Sequence, residues 1–230
     1  MPIPNYQAAI FTAAEAGGTL KIAGDLHLFR VPKNRFRAGQ SYGLLVNGGT
    51  VLIDAVHEVT KPAVDALLAH HPPKALLLTH SDLIEQAFGS PEELTAWLGN
   101  VPVIIHSKDS GNLSGLMPLE TSTALIADLG FFTYHIPGHT PGSTAYLHRT
   151  TGYLFTGDAI VGNNYEKPAQ EFTHPPILEE NYPDFVYGWM QVPLNMVNAV
   201  LPLHGQPSFG PEAAQAARDA ALLEDKVMMR

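Results

Sequence analysis

The chain has 230 residues, 45% of them apolar, and a formal charge of -9 from 22 acidic against 13 basic side chains, with no cysteine. That apolar share excludes a disordered chain, and an acidic balance without any Lys/Arg cluster excludes a nucleic-acid backbone or an anionic membrane surface as partner. The missing cysteines exclude disulfides, thiolate metal ligands and a cysteine nucleophile.

Residues Met1 to Leu20 show neither a basic start followed by an apolar stretch nor a run long enough to span a bilayer, so the expectation is a soluble, cytoplasmic protein. Short apolar runs then alternate with helical stretches. Leu26–Val31, Tyr42–Val46 and Thr50–Ile53 read as strands, the last two joined by the hairpin turn Asn47-Gly48-Gly49. Val59–Ala69 has helical spacing, with Lys61-Pro62 suited to a first turn, and Ala75–Leu78 reads as a buried strand. Pro91–Leu98 is a second helix and Val103–Ile105 another strand. Phe131–Ile136, Thr144–His148 and Tyr153–Phe155 continue the pattern. Asn163–Tyr182 is irregular, rich in Pro, Asn and Glu, and too long for a routine connection, which suggests a lid or substrate loop. Pro183–Val200 reads as helix interrupted at Pro193, followed by a short strand to Leu203, and Pro211–Val227 as an Ala-rich final helix. No linker interrupts the alternation, so one domain over 1–230 is expected.

Polar residues follow these strands in a consistent way. Asp54 follows Val51-Leu52-Ile53, His80 follows Leu76-Leu77-Leu78, and His139 follows the Phe131–Ile136 run, while Asp158 and His204 follow the two later strands. Groups beyond the carboxyl ends of strands gather along one sheet edge in layered α/β folds, where ligands bind. The stretch "IPGHTPGS" sets His139 between two Pro-Gly pairs, a rigid turn with little entropy to lose on binding a metal. In "LFTGDAI", Gly157 lets the backbone pass close before Asp158. Taken singly, each of His80, His139, Asp158 and His204 also reads as a satisfied polar residue at a strand end.

In this order, "VLIDA", "LLLTH", "IPGHTPGS", "LFTGDAI" and "LPLHG" resemble the metallo-β-lactamase superfamily from about Leu26 to about Val227. The resemblance implies an α/β fold, a four-layer αβ/βα sandwich of two mixed sheets with helices outside and metals along one edge. The family's His-x-His-x-Asp-His pattern aligns here with His80-Ser81-Asp82-Leu83-Ile84-Glu85, a departure. Carried over by position, a first metal takes His80, Asp82, His139 and the bridging Asp158. A second takes Glu85, Asp158 and His204, but Ile84 has no donor, so about one metal per chain is expected. Zn²⁺ suits the first set, and its oxygen share also suits Fe²⁺ or Mn²⁺; flavodiiron relatives carry an acidic residue at the Asp82 position. Asp82-x-x-Glu85 also reads as a capping box, with Glu85 the less secure ligand.

Asp54 is expected to support the ligands through hydrogen bonds. His57 and His174 are candidates for facing substrate, whereas His27, His106, His135 and His148 read as structural and His70-His71 as a solvated helix end. No nucleophile elbow, phosphate loop or dinucleotide fingerprint occurs. The resemblance therefore implies a metal-dependent hydrolase using a metal-bound hydroxide on a small-molecule ester, lactone or thioester, with Asp158 orienting the hydroxide. Two other readings stay open: a mononuclear iron oxygenase similar to the persulfide dioxygenases, built on His80, His139 and Asp158, and a non-catalytic binding protein that keeps the fold. A homo-oligomer is compatible with the sequence.

Overall fold

The computed structural model describes residues 19–30, 39–54, 58–86, 90–111, 113–163, 171–223 and 227–228. They cluster into two units: one takes residues up to 78, 82–104 and 113–116, the other 79–81, 105–112 and 117–230.

In the first unit the strands are β1 (Thr19–Ala23), β2 (Leu26–Arg30), β3 (Gln40–Val46), β4 (Gly49–Ile53), β5 (Pro73–Leu77) and β6 (Val103–Ile105), side by side in chain order. Antiparallel pairing gives way to parallel pairing at β4–β5. The hairpin works as its sequence predicts. Val46 pairs with Gly49, leaving Asn47 and Gly48 as a two-residue loop with φ of 48° and 77°, the conformation that matches strand twist. Helix α1 (Lys61–Leu68) makes the crossover from β4 to β5, with Pro62 in its first turn and Val64 and Leu67 buried. Helix α2 (Asp82–Gln86) is short. Helix α3 (Pro91–Trp97) starts from a complete capping box, in which the Ser90 hydroxyl accepts from the Glu93 amide and the Glu93 carboxylate accepts from the Ser90 amide.

The second unit opens with helices α4 (Ser107–Ser110) and α5 (Thr123–Asp128) and carries strands β7 (Phe131–His135), β8 (Thr144–His148), β9 (Tyr153–Gly157), β10 (Ala199–Pro202) and β11 (Ser208–Phe209). These form a five-stranded sheet in the order β11-β10-β9-β8-β7, mixed because β9 and β10 run parallel. Helices α6 (Tyr182–Gln191) and α7 (Pro211–Ala221) belong to the same unit, and their core joins Phe185 and Trp189 to Leu147, Leu154, Val200 and an Ala213, Ala214, Ala217 stripe. Full burial of a side chain such as Phe185 contributes about 1.5–3 kcal/mol. Both sheets are mixed, and helices flank them. Among the described residues no helix is long and apolar enough to cross a membrane.

Two expectations need correction. The final helix stops at Ala221 rather than Val227, because the Leu223 carbonyl lies 2.6 Å from His174 Nε2 and Val227–Met228 pairs in parallel with Ile177–Leu178. The predicted helix from Pro183 ends at Gln191. Val192 is extended ahead of Pro193, and a 3-10 turn at Leu194–Met196 leads to β10. The capping box expected of Asp82 and Glu85 turns on the Glu85 side chain, which lies outside the described residues; α2 begins at Asp82.

Candidate metal centre

Three imidazoles surround one carboxylate in the second unit. Asp158 follows β9 just past Gly157, where the register with β10 shifts. Its Oδ2 lies 3.4 Å from His204 Nε2, 3.6 Å from His139 Nε2 and 3.7 Å from His80 Nε2. These separations exceed those of ordinary N–H···O bonds. Asp158 Oδ1 is buried with no hydrogen-bond partner among the described residues. Burial opposes ionisation of Asp158, yet the close His204 ring, then His80 and His139, outweigh it and hold its carboxyl below the ordinary aspartate range.

Each ligand candidate is fixed by local chemistry. His80 is 1% exposed, and its Nδ1 lies 2.9 Å from Thr79 Oγ1. With Nε2 facing a metal, Nδ1–H donates to that hydroxyl, which selects the tautomer. Gly157 has φ of +53°, and a Cβ there would lie 2.1 Å from Thr79 Oγ1. The close passage expected at this glycine is thus found, and it is made against the residue that orients His80.

The His139 turn is tied from several sides. The Thr140 amide donates to Ser143 Oγ at 3.0 Å, the Thr144 amide to the Thr79 carbonyl at 2.9 Å, and Thr144 Oγ1 to the Gly142 carbonyl at 2.9 Å. His135 Nε2 sits 2.8 Å from the Pro141 carbonyl. His139 packs edge-on to His80 with ring centroids 5.1 Å apart. His204, past the end of β10, has its carbonyl held by the Gly162 amide at 2.9 Å.

Asp82 follows His80 by two residues. Like His80 and His139 in the second unit, Asp82 in the first offers a ligand atom of the kind a metal ion takes. Ile84 is half-buried in α2 and brings no donor. Asp54 ends β4 in the first unit, 1% exposed with φ of 67°, its amide donating to the Leu77 carbonyl at 2.9 Å. The side chain of Glu85 and the whole of His57 lie outside the described residues. His174 is 1% exposed, its ring nitrogens 2.6 Å from the Pro175 and Leu223 carbonyls and its ring beside Tyr182 and Phe185. That corrects its reading as a substrate contact: it packs the segment against the end of α7. Sequence analysis assigned no role to Thr79, Thr140 and Ser143, although they stand inside "LLLTH" and "IPGHTPGS", or to Asp109, which lies in none of the quoted motifs.

The family model described as the metallo-beta-lactamase superfamily matches residues 86–223. The chain belongs to that superfamily. A probable metallo-hydrolase of Bacillus subtilis (strain 168), YybB, is 31% identical over 136 residues, covering 50% of this chain and 55% of that protein, so the match spans about half the length of the relative. Among solved structures, the DIM-1 metallo-beta-lactamase has a TM-score of 0.60 at 10% identity, covering 88% of this chain and 95% of that one. TTHA1623, solved in a di-iron-bound form, has a TM-score of 0.51 at 24% identity, covering 74% and 89%. At these identities the structures establish the metallo-β-lactamase fold, an α/β sandwich. The residues present fit a cation: imidazoles converge on a buried carboxylate whose second oxygen has no partner among the described residues, so fold and donor set together imply a divalent metal ion.

Proposed function

We propose that the chain is a metal-dependent hydrolase acting on a small-molecule ester, lactone or thioester, with one divalent ion per chain held by His80, Asp82, His139 and Asp158. The observation that carries this reading is the convergence of three imidazole nitrogens on Asp158 Oδ2 within 3.4–3.7 Å. When bound, the ion supplies Lewis-acid polarisation of a carbonyl oxygen and an acidified water. The chain's own residues do the rest. Thr79 holds the His80 ring, the Pro-Gly turn holds His139, and Asp158 Oδ1 is an acceptor able to orient a polar group of the reactants. His204 lies nearest to Asp158 and keeps it ionised. Zinc is the proposed metal, with iron or manganese suited by the carboxylate share. The name of the Bacillus subtilis relative supports hydrolysis.

Elemental analysis of protein prepared without chelator, followed by hydrolysis assays on an ester, lactone and thioester panel, tests the reading. About one metal per chain is expected, lost in His139→Ala together with hydrolysis. Two equally tight metals per chain would overturn the single-ion assignment. His80, His139 and Asp158 also make a 2-His-1-carboxylate set. Oxygen consumption with a thiol or persulfide and no hydrolysis would replace hydrolase by oxygenase.

A further inference from the structure

The second unit buries a carboxylate that the metal reading leaves unused. Asp109, in α4, is 7% exposed. Its Oδ2 accepts from the amide of Ser81, the residue after His80, at 3.0 Å, and from the hydroxyl of Thr140, the residue after His139. Its Oδ1 accepts from the Gly142 amide at 2.7 Å. We infer that Asp109 is a positioning residue that ties the backbone beyond His80 to the backbone beyond His139 and so sets the spacing of the two imidazoles.

The chemistry of the contacts requires a carboxylate. All three partners donate, and a carboxylate accepts at both oxygens, whereas an amide of the same shape must present N–H to one donor. The Thr140 hydroxyl is committed to this role. Ser143 Oγ accepts from the Thr140 amide and lies 2.8 Å from Thr140 Oγ1, so the Ser143 hydroxyl donates to Thr140 while Thr140 donates to Asp109. Space is reserved as well. A Cβ on Gly142 would lie 2.6–2.8 Å from Asp109 Cγ, Cβ and Oδ1, so the glycine in this turn is what admits the carboxylate. Capping does not explain Asp109, because His106 Nδ1 fills that role for α4 by accepting from the Lys108 amide at 3.2 Å. Residues supporting metal ligands commonly act on affinity in this way.

The inference rests on His80 and His139 holding the proposed ion, and the test separates the two. In the metal-free full chain, amide hydrogen exchange of Ser81 and Gly142 should speed up about tenfold in Asp109→Asn, with α7 amides unchanged. In a cobalt(II) titration the same variant should bind about 10–100-fold more weakly, with shifted ligand-field bands. Ile126→Val in α5 loses core packing without touching the turn, and should lower stability while leaving the cobalt bands alone. If Asp109→Asn does not fold, Thr140→Val deletes one of the three contacts and should move affinity and bands in the same direction by less. Parent-like exchange at both amides, or parent-like cobalt affinity and bands, overturns the inference. If the parent itself binds no cobalt, the metal reading fails, and the exchange rates alone decide whether Asp109 positions the two histidines.

Discussion

The turn around His139 and the segment after His80 each present a candidate donor, but the first is held by side-chain hydrogen bonds to Asp109 and His135, whereas the second runs within two residues into a helix. In the turn, Thr140, Ser143, Thr144 and the Pro141 and Gly142 backbone are committed to named partners, and Gly142 must lack a side chain. The other segment becomes the five-residue helix α2 at Asp82, whose own hydrogen bonds run backbone to backbone and call for no particular side chain. Side chains on such a segment can change without unravelling the main chain. The family pattern survives letter for letter in the turn, and in the helix it has given way to Asp82, Ile84 and Glu85.

The largest effect should come from restoring the pattern on the permissive side. Changing Asp82 to His, Ile84 to Asp and Glu85 to His together should raise metal content from about one to about two per chain, measured by elemental analysis. An aspartate at half-buried Ile84 costs desolvation unless a cation neutralises it, so the variant should melt earlier than the parent when stripped and recover on adding metal. If it folds and holds no more metal than the parent, α2 contributes helix and not ligands, and Glu85 leaves the donor set.

Beside the turn, where the Thr79 carbonyl accepts from the Thr144 amide, Gly157→Ala should be strongly damaging. It combines left-handed backbone at φ +53° with a Cβ 2.1 Å from Thr79 Oγ1, and should cost on the order of 3 kcal/mol in urea unfolding. A loss below about 1 kcal/mol would mean that Thr79 and its hold on His80 yield easily, and the contrast between the two regions would shrink.

The smallest effect concerns His106, which caps the helix carrying Asp109. Burial, then the stacked His135 ring, hold His106 below the ordinary histidine range, although Glu120 partly opposes this. The unfolded chain therefore takes up this proton first as pH falls, and stability is lost progressively below about pH 6.5. His106→Asn retains a capping acceptor but does not titrate. Its stability should fall less than the parent's between about pH 7.5 and about pH 5.5 in urea unfolding. An equal fall in both would assign the acid sensitivity to other histidines, with buried His148 the first alternative.

Much of the architecture was legible locally. The Asn47-Gly48 hairpin, the β5 and β6 runs, and β8 at Thr144–His148 follow from turn chemistry and apolar runs that need no distant partner. The convergence of His80, His139, Asp158 and His204 was readable because each follows a strand, and strand ends share an edge. Strand β1 and helix α5 were not foreseen. Thr19–Ala23 is short, and Thr123–Asp128 buries only Ile126, too little for a periodic signal.

The sequence by itself determined which donors stand at which strand ends, because strand periodicity and Gly-Pro turn chemistry act over a few neighbouring residues. Only the tertiary structure decided what holds those donors still. Asp109 meets Ser81, Thr140 and Gly142 across 28, 31 and 33 residues of chain, and His174 reaches Leu223 across 49. A buried carboxylate or imidazole must find its partners wherever the fold brings them, and no local pattern specifies where that is.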